Sequence, residues 1–223
     1  MNINWYGQSC FQITLQKQKK DKEKVSIVID PFSEKTGLKL PKLKGHILLS
    51  THDHFDHNNT EAVEGDPFVI NSPGEYELHN VFIQGVSSYH DQEKGAERGI
   101  NTIFSLETEG LRICHLGDFG EKELSSKQME NIGEVDILMI PVGGVYTIDA
   151  KDAVRVISQI EPRIVIPMHY KIPGLDVDLD DLSPFLKALG EKEVKKEEEM
   201  IVQEKDLPST EMKIVPLVPK VKK

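Results

Sequence analysis

The stretch HILLSTHDHFDH, residues 46–57, decides the fold, because a short apolar run ends there in a cluster of histidine and aspartate side chains. The apolar part predicts a buried strand. Three of the eight histidines of the chain follow it, as His52, His54 and His57, together with Asp56. Imidazole nitrogen and carboxylate oxygen are ordinary ligands of zinc-like metals, and a solvated loop has no need of imidazole. The stretch therefore indicates a metal site carried on the end of a strand.

Length and charge restrict the class of protein. A chain of 223 residues suits one domain over 1–223, with 191–223 as a charged C-terminal segment that contains terminal strands. The net charge is −10, and no long basic stripe interrupts the acidic composition. Affinity for a phosphate backbone comes from clustered Lys and Arg, so we do not expect nucleic acid as a partner.

The cysteines and the N-terminal segment predict a cytoplasmic location. Cys10 and Cys114 lie far apart and form neither a CxxC metal pair nor a disulfide framework. The opening MNINWYGQSC lacks the pattern of a secretory signal. No run approaches the roughly 18 apolar residues that a membrane span needs, so we expect no contact with a membrane.

The first half of the chain reads as β-structure. Short apolar runs bounded by turn residues predict strands, at 3–6, 10–15, 25–30, 46–50, 67–70, 81–86, 102–107 and 111–116. The charged run KQKKDKEK (17–24) is interpreted as the solvated tip of a hairpin. Many short strands with tight turns suggest a sandwich of sheets.

The second half adds helices. Apolar residues at helical spacing predict a helix over 149–160, with Asp149 as its N-cap, and a second helix is expected over 178–189. Strands are predicted at 135–140, 163–167, 200–203 and 212–218. The fold class is therefore α/β (α+β), with helices flanking a largely β interior.

Further candidate ligands follow other predicted strands. His90, Asp118 and His169 each come shortly after a strand, and His115 ends one. Loops carried on a rigid sheet hold side chains in fixed geometry, so strand ends favour function. A lone histidine is more often structural than catalytic, but the 52–57 cluster makes a shared metal site the better interpretation.

These residues resemble a known family. THDHFDH resembles the HxHxDH signature of the metallo-β-lactamase superfamily, and the order of Asp30, His90, Asp118 and His169 is also similar. The segments NSPGEYEL, HLGDFG, PVGGVYTIDA and IPMHYK resemble small stand-alone zinc-dependent hydrolases related to the ascorbate-phosphate lactonase-like branch. The resemblance implies a four-layer αββα sandwich.

The resemblance also implies roles for the residues. It places two divalent metal ions, most simply Zn²⁺, with Mn²⁺ and iron compatible with the same ligand types. One ion would be bound by His52, His54 and His90, the second by Asp56, His57 and His169, with Asp118 bridging the two. Asp30 would accept a hydrogen bond that orients a ligand. Asp56 and Asp30 are the residues expected to be required for catalysis.

The implied activity is hydrolysis of a small ester, lactone or phosphodiester by a hydroxide that bridges the two metals. Two alternatives stay open: a nucleic-acid-processing nuclease of the same superfamily, and a non-hydrolytic member that binds iron. A degenerate scaffold is a third reading, and the retention of all seven ligands argues against it.

Three residues are candidates for binding an anionic small-molecule substrate. They are His115, Arg98 and Tyr146. His115 is interpreted either as part of the site wall or as a hydrogen-bonded structural residue. Arg98 either meets an anion or pairs with Asp91 or Glu97. Assembly into a homo-oligomer is also possible from the sequence.

Overall fold

Two mixed β-sheets form the interior of the protein in a computed structural model, which describes residues 1–16 and 23–221. The strands of the first sheet are β1 (Asn2–Trp5), β2 (Phe11–Thr14), β3 (Ser26–Ile29), β5 (Ile47–Leu49), β7 (Phe68–Ile70) and β14 (Met200–Ile201). They lie side by side in the order β14-β1-β2-β3-β5-β7. The predicted strand at 46–50 is thus an interior strand of this sheet, between β3 and β7.

The second sheet has the order β15-β13-β12-β11-β10-β9-β8. Its strands are β8 (Gly74–Leu78), β9 (Val81–Tyr89), β10 (Ile100–Thr108), β11 (Leu111–His115), β12 (Ile137–Pro141), β13 (Ile164–Met168) and β15 (Lys213–Ile214). Strands β8 to β11 pair antiparallel as a meander, whereas β11, β12, β13 and β15 pair in parallel.

The two sheets pack face to face. The ring of Phe11 on β2 contacts that of His115 on β11, with centroids 5.8 Å apart, and Trp5 on β1 packs against Tyr170 at 5.1 Å. Buried apolar side chains from Met1 to Leu217 form one cluster between and around the sheets. Burial of apolar area on this scale is the main stabilising contribution to the fold.

Helices cover the outer face of the second sheet. They are α1 (Ser126–Ile132), α2 (Ala150–Ile160) and α3 (Ser183–Ala188). Helices α1 and α2 connect parallel neighbours that advance in one direction, and right-handed crossovers place both on the same face. Strands β12 and β13 are buried along their whole length because this sheet is covered on both sides.

The first sheet has a different cover. A two-stranded parallel sheet, β4 (Leu43–Lys44) and β6 (Val63–Glu64), lies near β3, and Gly45 sits against Val63 and Val28. The same connections contain short 3-10 turns at Glu34–Thr36 and Thr60–Ala62. The predicted α/β sandwich is confirmed, and in the described residues its α-helices lie on the side of the second sheet.

Several elements differ from the predictions. Strand β8 and helix α1 were not predicted, because β8 has no fully buried residue and α1 buries only Gln128 and Ile132. Such short elements show no clear apolar period. A capping box between Ser125 and Gln128 nevertheless fixes the start of α1.

The predicted helix over 178–189 is shorter, at Ser183–Ala188. The backbone N–H of Asp180 donates to Gly143 and its carbonyl accepts from Lys171, so the preceding segment is bonded to neighbouring loops instead of to its own next turn. The terminal strands are confirmed at two residues each. Strands β2 and β3 pair as predicted for a hairpin, whereas 17–22 of its expected tip lie outside the described residues.

The longest helix, α2, has 11 residues, and within 1–16 and 23–221 we find no helix with the length and apolar character needed to cross a bilayer.

Candidate metal centre

The carboxyl ends of five strands meet at one edge of the sandwich. In the first sheet β3 and β5 run parallel, and they lead into Asp30 and the 52–57 cluster. In the second sheet β9, β11 and β13 share one direction, and they lead into His90, Asp118 and His169. The topology therefore brings together residues that are more than 110 positions apart in sequence.

One group of candidate ligands consists of His52, His54 and His90, called the first group below. Their ligand atoms all lie within 4.8 Å of one another. His52 Nε2 is 3.0 Å from His54 Nδ1, and the hydroxyl of Thr51 is 3.0 Å from His52 Nδ1. His54 is half-buried, so this group faces the solvent-accessible cleft.

The second group consists of Asp56, His57, Asp118 and His169. Nε2 of His57 and Nε2 of His169 each lie 3.2 Å from Oδ2 of Asp118. His57 Nε2 is also 3.6 Å from Oδ2 of Asp56. These side chains are all buried or nearly so.

Asp118 joins the two groups. Its Oδ2 is 3.3 Å from Nε2 of His90, which belongs to the first group, and 3.2 Å from Nε2 of both His57 and His169. Three imidazole nitrogens thus converge on one carboxylate oxygen. Asp118, which is predicted to be a shared ligand, therefore lies between the two groups.

The donor atoms suit a divalent cation. His57 Nε2 is buried and has no hydrogen-bond partner among the described residues, although carboxylate oxygens surround it. A buried polar atom left in this way is costly unless it has a ligand. Imidazole nitrogens and carboxylate oxygens at such spacing form the ligand set of zinc and similar ions. The residues present therefore fit metal binding at both groups.

Electrostatics ties the second group together. Burial alone would lower the pKa of His57, but the carboxylates of Asp118, Asp56 and Asp30 raise it well above its ordinary value. Burial would likewise raise the pKa of Asp118, but His169 and His57 hold it well below its ordinary value. Opposite charges within a few ångströms favour the charged forms of both groups.

In the first group, the histidine pKa values are lowered instead of raised. Burial lowers the pKa of His52, and the neighbouring His57 adds to the effect. Burial and the nearby His90 lower the pKa of His54. Both imidazoles are therefore neutral at physiological pH, which is the form that binds metal.

Asp30 holds in place the histidine loop that the first sheet contributes to the site. Its Oδ2 lies 2.9 Å from Nδ1 of His57, and it accepts from both the backbone N–H and the hydroxyl of Thr51 at 2.8 Å. Asp30 is fully buried and has φ 48°, in the left-handed region that Asp tolerates better than most residues. The fully bonded carboxylate thus fixes both the His57 ring and the start of the histidine loop.

Two glycines allow close approach of the second-sheet loops. A Cβ at Gly120 would overlap the backbone of His90 and Asp91, and one at Gly143 would overlap the carbonyl of His169. His169 itself has φ 51°. Strained backbone of this kind is common where side chains must be aimed at a site.

The substrate contact predicted for His115 is corrected by the structure. His115 is fully buried, its Nε2 lies 2.9 Å from the carbonyl of Ser9, and its Nδ1 accepts from the backbone N–H of Gly117. A ring with both nitrogens bonded to backbone cannot reach a ligand in the cleft. Its structural alternative therefore holds, and the neighbouring Cys114 is likewise fully buried.

Arg98 and Tyr146 do line the cleft above the ligand groups. The cleft has a volume of about 540 Å³, and its wall is formed by Lys35, His54, Phe55, Asp56, His90, Arg98, Asp118, Tyr146, His169, Asp176, Val177 and Asp178. The Arg98 guanidinium lies 5.4 Å from the centre of the Tyr146 ring and 3.5 Å from Glu97. The first contact is a cation–π arrangement that leaves the charge at the cleft.

The loop that carries Arg98 is held by Asp91. Its carboxylate accepts four backbone N–H groups, from Glu93, Gly95, Glu97 and Arg98, at 2.7–3.0 Å. Asp91 thus holds Arg98 through the backbone N–H, whereas the guanidinium forms the expected ion pair with Glu97, at 3.5 Å.

Sequence reasoning missed the residues that support the ligands. Gln8, Ser9 and Asn101 are buried and bond to Asp56, to Asp118 and to the backbone of Asp118, respectively. None of them belongs to the HxHxDH signature. A polar turn, GQSC, between two apolar strands was the available signal, and a turn of that composition is ordinarily solvated.

Comparisons with known proteins identify the family of this chain. The family model described as the beta-lactamase superfamily domain matches residues 2–169. A UPF0173 protein of Pyrococcus abyssi is 32% identical over 194 residues, covering 78% of this chain and 85% of the relative. A UPF0173 metal-dependent hydrolase of Salinibacter ruber is 30% identical, covering 81% of this chain and 89% of the relative.

Solved structures extend the likeness to the whole fold. A Thermotoga maritima structure, classed among the Zn-dependent hydrolases of the metallo-beta-lactamase superfamily, has a TM-score of 0.77 and 33% identity, covering 97% of this chain and 98% of that one. A metallo hydrolase of Ignicoccus hospitalis, at 21% identity and a TM-score of 0.60, covers 85% of this chain and 90% of its own and shares the fold. The chain thus belongs to the beta-lactamase superfamily, within the group of UPF0173 metal-dependent hydrolases.

Proposed function

We propose that the protein is a hydrolase that holds two divalent metal ions, most simply Zn²⁺, and cleaves a small ester, lactone or phosphodiester. One observation carries the proposal: Oδ2 of Asp118 lies within 3.2–3.3 Å of Nε2 atoms from both ligand groups. A carboxylate shared in this way suits two neighbouring cations better than one. Two-metal sites are common in enzymes that cleave esters of carboxylic and phosphoric acids.

Each group of residues would hold one of the two metal ions. The first group and Asp118 would hold one ion, and Asp56, His57, His169 and Asp118 would hold the other. When bound, such a pair of ions supplies an activated water at neutral pH and stabilises negative charge on the reacting oxygens.

The protein's own contribution is to orient the ligands. The contact between Asp30 and His57 Nδ1 holds the imidazole proton on that nitrogen and leaves Nε2 free to bind a cation. Asp56 is nearly buried and accepts from the Gln8 amide, so one of its oxygens has a fixed direction. Fixed donors of this kind cost no reorganisation when the ion binds.

We expect a small substrate with an apolar part, whose anionic group would meet Lys35 or Arg98 in a cleft that Asp176 and Asp178 also line. Lys35 and Arg98 provide positive charge, and Phe55, Tyr146 and Val177 provide apolar surface. A volume of about 540 Å³ suits a small molecule. The cytoplasmic location and a homo-oligomeric state stay predictions from the sequence.

The test combines metal analysis with a hydrolysis screen over lactones, phosphodiesters and phosphomonoesters. We expect close to two metal ions per chain and turnover of at least one class, both lost in Asp118→Ala. Asp53→Ala is the matched control, because Asp53 lies in the same motif but is exposed. One ion per chain that resists reloading would refute the shared role of Asp118, and hydrolysis unaffected by Asp118→Ala would refute the mechanism.

A further inference from the structure

The turn between β1 and β2 lies inside the metal centre although the HxHxDH signature does not contain it. Gly7, Gln8 and Ser9 form its tip, with φ 94° at Gly7 and 46° at Gln8. The turn is closed by two backbone hydrogen bonds of 2.9 Å between Tyr6 and Cys10 and between Cys10 and Gly7. Gln8 and Ser9 are both fully buried, which is unusual for the polar tip of a hairpin.

The Gln8 side chain contacts a candidate ligand directly. Its Nε2 donates to Oδ2 of Asp56 at 3.1 Å. Asp56 Oδ2 is the oxygen that also lies 3.6 Å from Nε2 of His57. The amide of Gln8 thus fixes the carboxylate oxygen nearest to the second group's imidazole.

The Gln8 backbone holds a second ligand of the same group. Its carbonyl oxygen accepts from the backbone N–H of His169 at 3.1 Å and from the indole N–H of Trp5 at 2.9 Å. His169 has left-handed backbone, so an external acceptor for its N–H helps to maintain that conformation. One residue therefore positions Asp56 through its side chain and His169 through its main chain.

Ser9 performs the corresponding role for the shared carboxylate. Its hydroxyl donates to Oδ1 of Asp118 at 3.1 Å, and this leaves Oδ2 facing the three imidazoles. The Ser9 carbonyl in turn is 2.9 Å from Nε2 of His115, which is buried beneath the turn. His115 therefore supports the turn from its buried side, so the role of His115 is structural.

We propose that Gln8 and Ser9 are positioning residues of the metal centre: Gln8 serves the second group alone, and Ser9 serves both groups through Asp118. The inference deepens the proposed two-metal function and rests on it. Outer residues that hydrogen-bond to metal ligands typically contribute about 10–100-fold to metal affinity or activity.

The experiment uses Gln8→Met and Ser9→Ala with Gln12→Met as the control. Met matches Gln in length but cannot donate, so it removes the bond to Asp56 while keeping the side-chain volume. Gln12 lies on β2, and its amide donates to the carbonyl of Lys44, away from the ligand groups. Thermal unfolding of each variant establishes that it folds.

The readout is nitrogen NMR of the histidine rings while a chelator removes zinc. In Gln8→Met, the resonances of His57 and His169 should lose zinc at about 10–100-fold lower chelator concentration than in the parent protein. Those of His52, His54 and His90 should lose it as in the parent. In Ser9→Ala both sets of resonances should lose zinc at a lower chelator concentration than in the parent protein. In Gln12→Met both sets should lose it at the same concentration as in the parent protein.

The outcomes separate the two proposals. If Gln8→Met weakens zinc binding equally at both groups, or at neither group, the inference is overturned even in a protein that binds two ions. A parent protein that binds one ion through His57 and His169 would refute the two-metal function, while the Gln8→Met comparison would still decide the role of Gln8. A Gln8→Met variant that does not fold would refute a purely positioning role, and Ser9→Ala alone would then test the turn.

Discussion

The two ligand groups differ in how much of the protein holds them. The first group is made of imidazoles that contact one another and Thr51, and His54 is half-buried at the cleft. In the second group, Asp30 fixes His57 and Gln8 fixes Asp56, and both of these supporting residues are fully buried. One group of candidate ligands is therefore built into the sandwich, and the other lies at its open surface.

Charge separates the groups as well. The neighbouring carboxylates raise the pKa of His57 well above its ordinary value, which favours the doubly protonated ring in the metal-free protein. His52 and His54 have lowered pKa values and stay neutral. Binding at the second position should therefore displace a proton from His57, whereas His52 and His54 at the first position should release none.

Removal of Asp118 should have the largest effect on metal binding and turnover, and it should abolish the difference between the two ligand groups. Asp118→Ala takes away the oxygen that contacts imidazoles of both groups, so we expect metal loss from both and a fall in turnover of about a thousandfold or more, corresponding to several kcal/mol. Metal analysis and the hydrolysis screen measure it. Retention of two tightly bound ions would show that the groups are independent sites.

Asp30→Asn should weaken the second position more than the first, because Asp30 contacts His57 directly but reaches His52 only through Thr51. The amide cannot accept from His57 and both Thr51 donors at once, so we expect about a 10–100-fold loss of metal affinity and about 1–3 kcal/mol of stability. Competition with a chelator and chemical unfolding measure the two effects.

The control is Asp66→Asn, because Asp66 is exposed and shares the left-handed backbone, with φ 52°. If Asp30→Asn weakens metal binding equally at both positions, the supporting contacts of the second group do not make its metal affinity different from that of the first.

The pH dependence of metal affinity should differ between the positions. Because His57 has a raised pKa, affinity at the second position should increase by about tenfold per pH unit while the ring is protonated. Affinity at the first position should change little above about pH 6.5. Titration calorimetry in buffers of different ionisation enthalpy counts the protons released, and equal release at both positions would contradict the comparison.

The same shift has a consequence for the protein after its metal is removed. The folded-state pKa of His57 lies above its unfolded value, so its stabilising contribution is complete below about pH 6.5 and is lost as the pH rises towards the folded-state pKa. Thermal unfolding of the chelator-treated protein against pH, with His57→Gln as reference, follows this loss.

The smallest effect concerns the open side of the centre. Arg98→Ala should raise KM for anionic substrates by about fivefold, near 1 kcal/mol, because the guanidinium is partly solvated, with kcat little changed. Arg155→Ala is the matched control, since Arg155 lies exposed on α2 beside Asp152. A larger effect on kcat than on KM would place Arg98 in contact with the reacting group.

Much of the centre was predictable because its ligands are chemically distinctive. A dense His and Asp cluster after an apolar run is rare enough to recognise, and His90, Asp118 and His169 follow predicted strands in the order of the family. The strands themselves follow from apolar periodicity, as shown by the near agreement of β3, β5 and β11 with their predicted bounds. Elements with no continuous apolar face, such as β8 and α1, were missed.

The sequence by itself determined the fold class and the association of candidate ligands with strand ends, because periodicity and residue chemistry are local properties. The set of seven ligands followed from the resemblance of the sequence to the family. The tertiary structure decided which residues support them. Gln8 lies 48 positions from Asp56 and Ser9 lies 109 from Asp118, so only the packing of the two sheets brings these pairs together. It also decided that His115 is buried under the β1–β2 turn, because the face of a strand that a side chain occupies depends on what the sheet packs against.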